Sequence, residues 1–266
     1  MAKGLSKSIA GLVGLIICGA TWADTAADIP KSVLDALADP RRPAEQRELD
    51  TERQAARAVT FAQVTSGARV LDFMPGGGYF TRIFSDVVGP TGRVYAFLPS
   101  EQVAHCPAGE IAGTRSIESD PSYRNVTVLT QSLSKFSIPG KLDLIWTSRN
   151  YHDLHDSFLG PADVAALNGA FFRALKPGGI FLVIDHAAEP NSGLRDTETL
   201  HRIDPVRMKR EIEAAGFVLE SESDALRNPA DDHRRSVFDP RIRGKTDQVM
   251  YLFRKPRHRI GSHGTR

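Results

Sequence analysis

Between residues 70 and 81 the chain changes its periodicity twice. Val70-Leu71-Asp72-Phe73 is an apolar run closing on an acid, and Met74-Pro75-Gly76-Gly77-Gly78 is a glycine cluster. Behind it Phe80, Ile83, Phe84, Val87 and Val88 recur at i, i+3, i+4, i+7 and i+8, one face of an amphipathic helix. The pattern predicts a strand, a tight loop and a helix, and a second strand over 93–97 follows Gly89-Pro90-Thr91-Gly92. That is the opening βαβ unit of a doubly wound α/β sheet. A glycine loop in such a unit lets main-chain N–H groups approach a ligand at a helix N-terminus. Ligands of open α/β sheets bind outside the carboxyl ends of the strands, so each candidate residue is expected to follow a strand.

Further strands are expected over 125–130, 141–148 and 180–185, the last after the turn Lys176-Pro177-Gly178-Gly179. Residues 217–222 and 248–254, separated by a long polar insert, suit an antiparallel final pair. Between the strands, 98–121 reads as helix and loop, while Val164, Leu167, Phe171 and Leu175 share the face of a helix opened by Gly160-Pro161-Ala162-Asp163. A later helix has Asp204 as N-cap, Pro205 at its first position and Gly216 at its end. Upstream, a short helix is expected over 31–38. A longer one is expected from Ala44, because Ala55, Ala58, Val59 and Ala62 repeat with helical spacing before Ser66-Gly67.

A chain of 266 residues with 41% apolar content can bury one sizeable core. Its formal net charge of +2 does not call for nucleic acid as a partner, and the basic end, 257–266, reads as a solvated tail. Residues 1–23 differ from the rest. Lys3 and Lys7 precede the apolar stretch 9–20, then Thr21-Trp22-Ala23 and the acids Asp24 and Asp28, the layout of a cleavable secretory signal. The expectation is therefore a periplasmic or secreted protein cleaved near Ala23, with no stable membrane anchor after signal removal. Cys18 would leave with the signal, so Cys106 alone remains and no intrachain disulfide is expected. The expected organisation is a signal (1–23), an N-terminal helical segment (24–64), a single α/β domain (65–256) and the tail.

Strand, acid, glycine loop and helix, with Leu175-Lys176-Pro177-Gly178-Gly179 before a late strand, resemble the class I S-adenosylmethionine-dependent methyltransferases. Asp72-Phe73-Met74-Pro75-Gly76-Gly77-Gly78-Tyr79, Arg149-Asn150-Tyr151-His152-Asp153, the block from Asp196 to Asp204 and that from Leu226 to His233 resemble a family of exported bacterial predicted methyltransferases. The resemblance implies a Rossmann-like, seven-stranded, three-layer α/β/α fold with an antiparallel last strand. It also implies S-adenosyl-L-methionine as cofactor and methyl transfer to a small-molecule acceptor. Asp72, Met74, Gly76, Gly77, Gly78, Tyr79, Phe97 and Asn150 would then bind the cofactor. His152 or Asp153 would take a proton from the acceptor. Tyr151, His186, His201 and Arg202 would border the acceptor, as would Arg195, Arg227, Asn228 and His233. The N-terminal segment would cover the cofactor.

Two departures stand out. Met74 occupies the first glycine position of the wider acid-x-Gly-x-Gly-x-Gly pattern, and after the second strand, where an acid usually holds the ribose, the chain has Phe97-Leu98-Pro99-Ser100-Glu101. Two other readings stay open: a binding module that kept the fold without catalysis, and a metal-dependent hydrolase using His152, His155, Asp153 and Asp156, with His186 and His201 as further candidate ligands. The expected site contains no metal.

Overall fold

A computed structural model describes residues 29–160 and 162–257. The expected signal with Cys18, Pro161 of the expected helix start, and the tail beyond Arg257 lie outside the described residues. The N-terminal segment carries α1 (Lys31–Ala38), α2 (Ala44–Arg47) and α3 (Ala55–Phe61). The domain then runs β1 (Arg69–Phe73), α4 (Tyr79–Val88), β2 (Arg93–Pro99), α5 (Ser100–His105), α6 (Ala108–Ser119) and β3 (Val126–Gln131). Its second half is β4 (Leu142–Ser148), α7 (Val164–Ala174), β5 (Leu175–His186), α8 (Thr197–Leu200), α9 (Pro205–Ala214), β6 (Val218–Ser223) and β7 (Gln248–Arg254).

The strands form one seven-stranded sheet of order β3-β2-β1-β4-β5-β7-β6. The neighbours from β3 to β5 pair parallel, and β7 runs antiparallel to both β5 and β6. Successive side chains alternate faces, and the two faces bury different helices. Val70, Val94, Leu144 and Trp146 meet α1, α3 and α4, with Trp146 4.5 Å from the ring of Phe80 and 5.1 Å from that of Phe84. Leu71, Phe73, Phe97, Ile145 and Phe181 meet α7 and α9 through Leu167, Phe171, Met208 and Ile212. The doubly wound fold with its reversed last strand is the expected one.

Three local expectations change. The long helix from Ala44 is two pieces, because residues 45–54 carry no continuous apolar stripe and Gln54 turns to φ +46° before the alanines begin. The break lets Asp50 reach buried Arg42 at 2.6 and 2.9 Å and accept the Tyr79 hydroxyl at 2.5 Å. The Lys-Pro-Gly-Gly segment is an excursion inside β5, since Leu142 pairs with Leu175 and Leu144 already pairs with Ile180. Gly178, at φ +82°, donates its N–H to Lys255 and so ties the excursion to the end of β7. Residues 98–121 hold two helices rather than one helix and a loop. The N-terminal segment is fastened to α4 by Arg41, which bridges Asp39 and Asp86 at 2.7 Å each.

Candidate active site

At β1 and β4 the strand order changes direction, the place where open α/β sheets bind ligands. A cleft of about 780 Å³ opens there, within the usual range of small-molecule sites. Gly76 enters it from the glycine loop, Arg149 and Asn150 from the end of β4, and His186 from the end of β5. Leu49, Glu52 and Arg53 of the N-terminal segment form one side, and Val237, Phe238, Arg243 and Gly244 of the β6–β7 insert another. These two meet: a Cβ on Gly244 would lie 2.8 Å from the Glu52 carboxylate.

The glycine loop is pinned from behind and open in front. Thr114 of α6 donates to the Gly76 carbonyl at 2.8 Å, and Arg82 and Gln46 donate to that of Gly77 at 2.9 and 3.1 Å. A Cβ on Gly78 would lie 2.5 Å from Ile117, and one on Gly113 2.5 Å from the Gly77 carbonyl, so α6 seats only against bare backbone. Gly76, at φ +56°, has nothing among the described residues within 4 Å of where a Cβ would point. Met74 is buried at φ +57°, a left-handed conformation that glycine adopts without strain. It is held there by its N–H on the Phe97 carbonyl (3.0 Å) and by the Asn150 amide on its own carbonyl (2.7 Å).

Arg53 and Gln102 line the cleft together with Gly76. Arg53 Nε and Gln102 Oε1 are buried and meet no hydrogen-bond partner among the described residues. The Arg53 guanidinium lies 4.5 Å from the Tyr79 ring centroid, and burial lowers its pKa. Arg149 donates to Gln248 (3.0 Å) and Glu52 (3.4 Å), and burial lowers its pKa as well. Glu101 faces elsewhere. Its carboxylate accepts from Ser132 at 2.6 Å and from the Leu133 N–H at 3.1 Å, bonds that outweigh burial and hold its pKa below the ordinary value.

The opposite wall is a cluster of imidazoles and carboxylates. His152 is buried, with Nδ1 2.7 Å from Asp185 Oδ1, its backbone N–H 2.7 Å from Asp185 Oδ2, and Nε2 3.0 Å from Asp153. Burial opposes its charge, but Asp185 and Asp153 overcome that and raise its pKa well above the ordinary value. Asp153 is likewise disfavoured by burial, yet His152 and His201 bring it below the carboxylate range. His201, at φ +53°, places Nδ1 3.4 Å from His152 Nε2 and stacks edge-on against Phe238. Asp156 completes the group. It is 2% exposed, neither carboxylate oxygen meets a hydrogen-bond partner among the described residues, and burial raises its pKa, with Thr197 only partly offsetting this. His186 is different: its Nδ1 lies 2.8 Å from the Thr246 hydroxyl, and burial, with Arg149 and His152 nearby, drives its pKa well below the ordinary value.

The structure thus brings Gly76, Asn150, His152, Asp153, His186 and His201 to one cleft. Other expected residues sit elsewhere. Asp72 points from β1 into the face of α4, where it accepts from Thr81 at 2.6 Å, and burial pushes its pKa up to about 7. Phe97 is a core residue on the opposite face, 5.5 Å from Phe73, and Tyr79 turns toward Asp50. Gly77 and Gly78 face Gln46, α6 and Arg82 rather than the cleft. Tyr151 lies beneath α7 and α9, with its hydroxyl bonded to Asn168 (2.8 Å) and Glu211 (3.2 Å). Arg202 is fully buried on the carbonyls of Ala187 and Arg235 and on Asp231. Arg195 pairs with Asp196 and Glu189, while Arg227, Asn228 and His233 converge on Asp247. Sequence reasoning missed Arg53 and Gln102, whose segments show only helical polarity. It also missed the role of Asp185, which the last position of an apolar strand preceding a histidine does signal.

No protein-family model matches the chain. Solved structures do resemble it. An S-adenosylmethionine-dependent methyltransferase from Aquifex aeolicus superimposes with a TM-score of 0.54 at 19% identity, over 84% of this chain and 97% of that one. The glycopeptide N-methyltransferase MtfA, complexed with S-adenosyl-L-methionine, gives 0.51 at 17% identity, over 76% and 86%. The cyclase SpnF gives 0.53 at 18%, over 76% and 82%. At such identities the likeness is one of fold: the strand order, the single reversed strand and these superpositions make it that of the class I S-adenosylmethionine-dependent methyltransferases.

Proposed function

We propose that the chain is an S-adenosylmethionine-dependent methyltransferase acting on a small-molecule acceptor. The observation that carries this is a cleft that opens on bare Gly76 at the switch point of the sheet and has the cations Arg53 and Arg149 and the carboxylate of Glu52 in its lining. A ligand carrying a carboxylate and an ammonium group at one end and a diol at the other would complement that lining. Arg53 and Arg149 would take the carboxylate of the donor, Glu52 its ammonium group, and Gln102 a ribose hydroxyl in place of the acid absent after β2. Asn150 holds the glycine loop in shape through the Met74 carbonyl. The donor supplies a methyl group activated on a sulfonium. The protein must align the acceptor in line with it and, where the acceptor is protonated, hold that proton. Asp153, ionised and bordering the cleft, is the acceptor-side hydrogen-bond partner, and Asp185 fixes the His152 ring beside it.

Calorimetric titration of S-adenosylmethionine and S-adenosylhomocysteine into the purified chain tests the proposal, with Gly76→Val alongside. A side chain at Gly76 has open space before it but a φ of +56° that a branched residue adopts only with strain, so saturable one-to-one binding that the substitution abolishes, in a variant that keeps a cooperative unfolding transition, is expected. A second reading, a ligand-binding module without methyl transfer, draws on Glu101 being committed to Ser132 and Leu133. Absence of binding at millimolar donor by folded protein would favour it. Export to the periplasm is part of the proposal and rests on residues 1–23. A reporter fused to residues 1–30 that stays in the cytoplasm would overturn it.

A further inference from the structure

His152, Asp153, Asp156 and His201 come from two separate stretches of chain, the turn after β4 and the end of α8, and their ligand atoms converge within 4.8 Å of one another. The spacing is that of a coordination shell. Ligands bound to a tetrahedral divalent ion at about 2.0–2.2 Å stand roughly 3.3–3.6 Å apart. Here His152 Nε2 is 3.0 Å from Asp153 Oδ1 and 3.4 Å from His201 Nδ1, and His201 Nδ1 is 3.7 Å from Asp153 Oδ1.

An independent observation points to an absent partner. Asp156 is 2% exposed, and neither of its carboxylate oxygens is hydrogen-bonded among the described residues. A buried carboxylate is ordinarily paired, hydrogen-bonded or bound to a metal. Asp156 faces the other three donors, with the Thr197 side chain also near it, and a cation among them would meet that need. The support behind the cluster is also that of a metal centre: His152 turns Nδ1 to Asp185 at 2.7 Å, leaving Nε2 directed at the other three donors. A carboxylate behind a ligating histidine fixes its tautomer and raises its basicity.

We infer that these four side chains form a binding site for a first-row divalent cation of the zinc type, with Asp185 as the positioning residue behind His152. Two imidazole nitrogens and two carboxylates suit zinc, iron or manganese better than calcium or magnesium, which take oxygen ligands. His152, Asp153 and His201 border the cleft, and Asp156 is not among its lining residues. The ion therefore sits at the wall with Asp156 behind it, and an acceptor in the cleft can reach it. The site does not depend on the donor-binding proposal.

The test needs neither donor nor acceptor. Untagged chain stripped with chelator is titrated with Zn2+, followed by calorimetry and by the rise in Tm, and with Co2+, followed by its visible absorption. One equivalent of Zn2+ is expected, with Co2+ bands of four- or five-coordinate intensity. His201→Ala and Asp156→Asn should weaken binding at least about tenfold, and Asp185→Asn, which removes no ligand, by about 10–100-fold. His201 is 29% exposed at its side chain, so its variant keeps the fold if Asp156→Asn does not. Failure of folded wild-type chain to take up Zn2+ or Co2+, or uptake unchanged in His201→Ala, would overturn the inference.

Discussion

The two walls of the cleft are built on opposite principles. Around Gly76 the cleft is lined by bare backbone and by the side chains of Arg53, Arg149 and Gln102. Around His152, Asp153 and Asp185 each titratable group is paired with another within 3.0 Å. The first wall offers charge to a ligand. The second pairs its groups with one another, apart from Asp156, whose oxygens meet no partner among the described residues. The difference predicts that substitutions on the first wall act on donor affinity, and substitutions on the second act on stability and on cation uptake.

The largest expected effect breaks the second wall. Asp185→Ala leaves the His152 imidazole and the N–H groups of His152 and His186 without their common acceptor, and should cost about 3–5 kcal/mol in denaturant unfolding. A loss under about 1 kcal/mol would show that the network does not organise that wall. Behind the first wall, Asp72 has a folded pKa of about 7 against an ordinary 3.8. The folded state then binds the proton more tightly than the unfolded chain, so this group's contribution is fully present below about pH 4 and declines as pH rises through 7. The decline amounts to up to about 4 kcal/mol. The wild-type minus Asp72→Asn stability difference, measured from pH 4 to 8, should show that fall, and a flat difference would place Asp72 in a more polar setting. Arg53→Ala should weaken S-adenosylhomocysteine binding by about 10–100-fold, with a stability loss of about 1 kcal/mol from its contact with the Tyr79 ring. The smallest effect sharpens the contrast: Tyr151→Phe, remote from the cleft under α7 and α9, should leave donor affinity within about twofold.

What was legible in the chain follows from how local each signal is. The β1–α4 unit could be read because strand, glycines and amphipathic helix are contiguous, and β7 matched its expected 248–254 because the apolar run ends at Arg254. The break between α2 and α3 was not legible. It depends on Arg42 and Tyr79 both reaching Asp50, a tertiary arrangement that outweighs helical continuity. In the site, His152 and Asp153 stood out as a dense polar turn after a strand. Tyr151 stood in the same turn, but helical winding sends it to the far side, onto Asn168. Phe97 was misplaced by one face of the sheet, where period two decides everything and the alternation Ala96-Phe97 inside an apolar run gives no cue. Arg53 and Gln102 escaped notice because they reach the cleft through loops and short helices whose paths only the fold determines.

The central claim is that a donor binds against Gly76 with its charged end on Arg53 and Arg149. Hydrogen–deuterium exchange of the chain with and without S-adenosylhomocysteine tests it most directly. Protection confined to 49–53, 74–78, 102–107 and 149–153 is the predicted result. Saturating ligand that protects instead the separate cavity between Glu101, Phe136 and Leu159, or protects nothing, would contradict it.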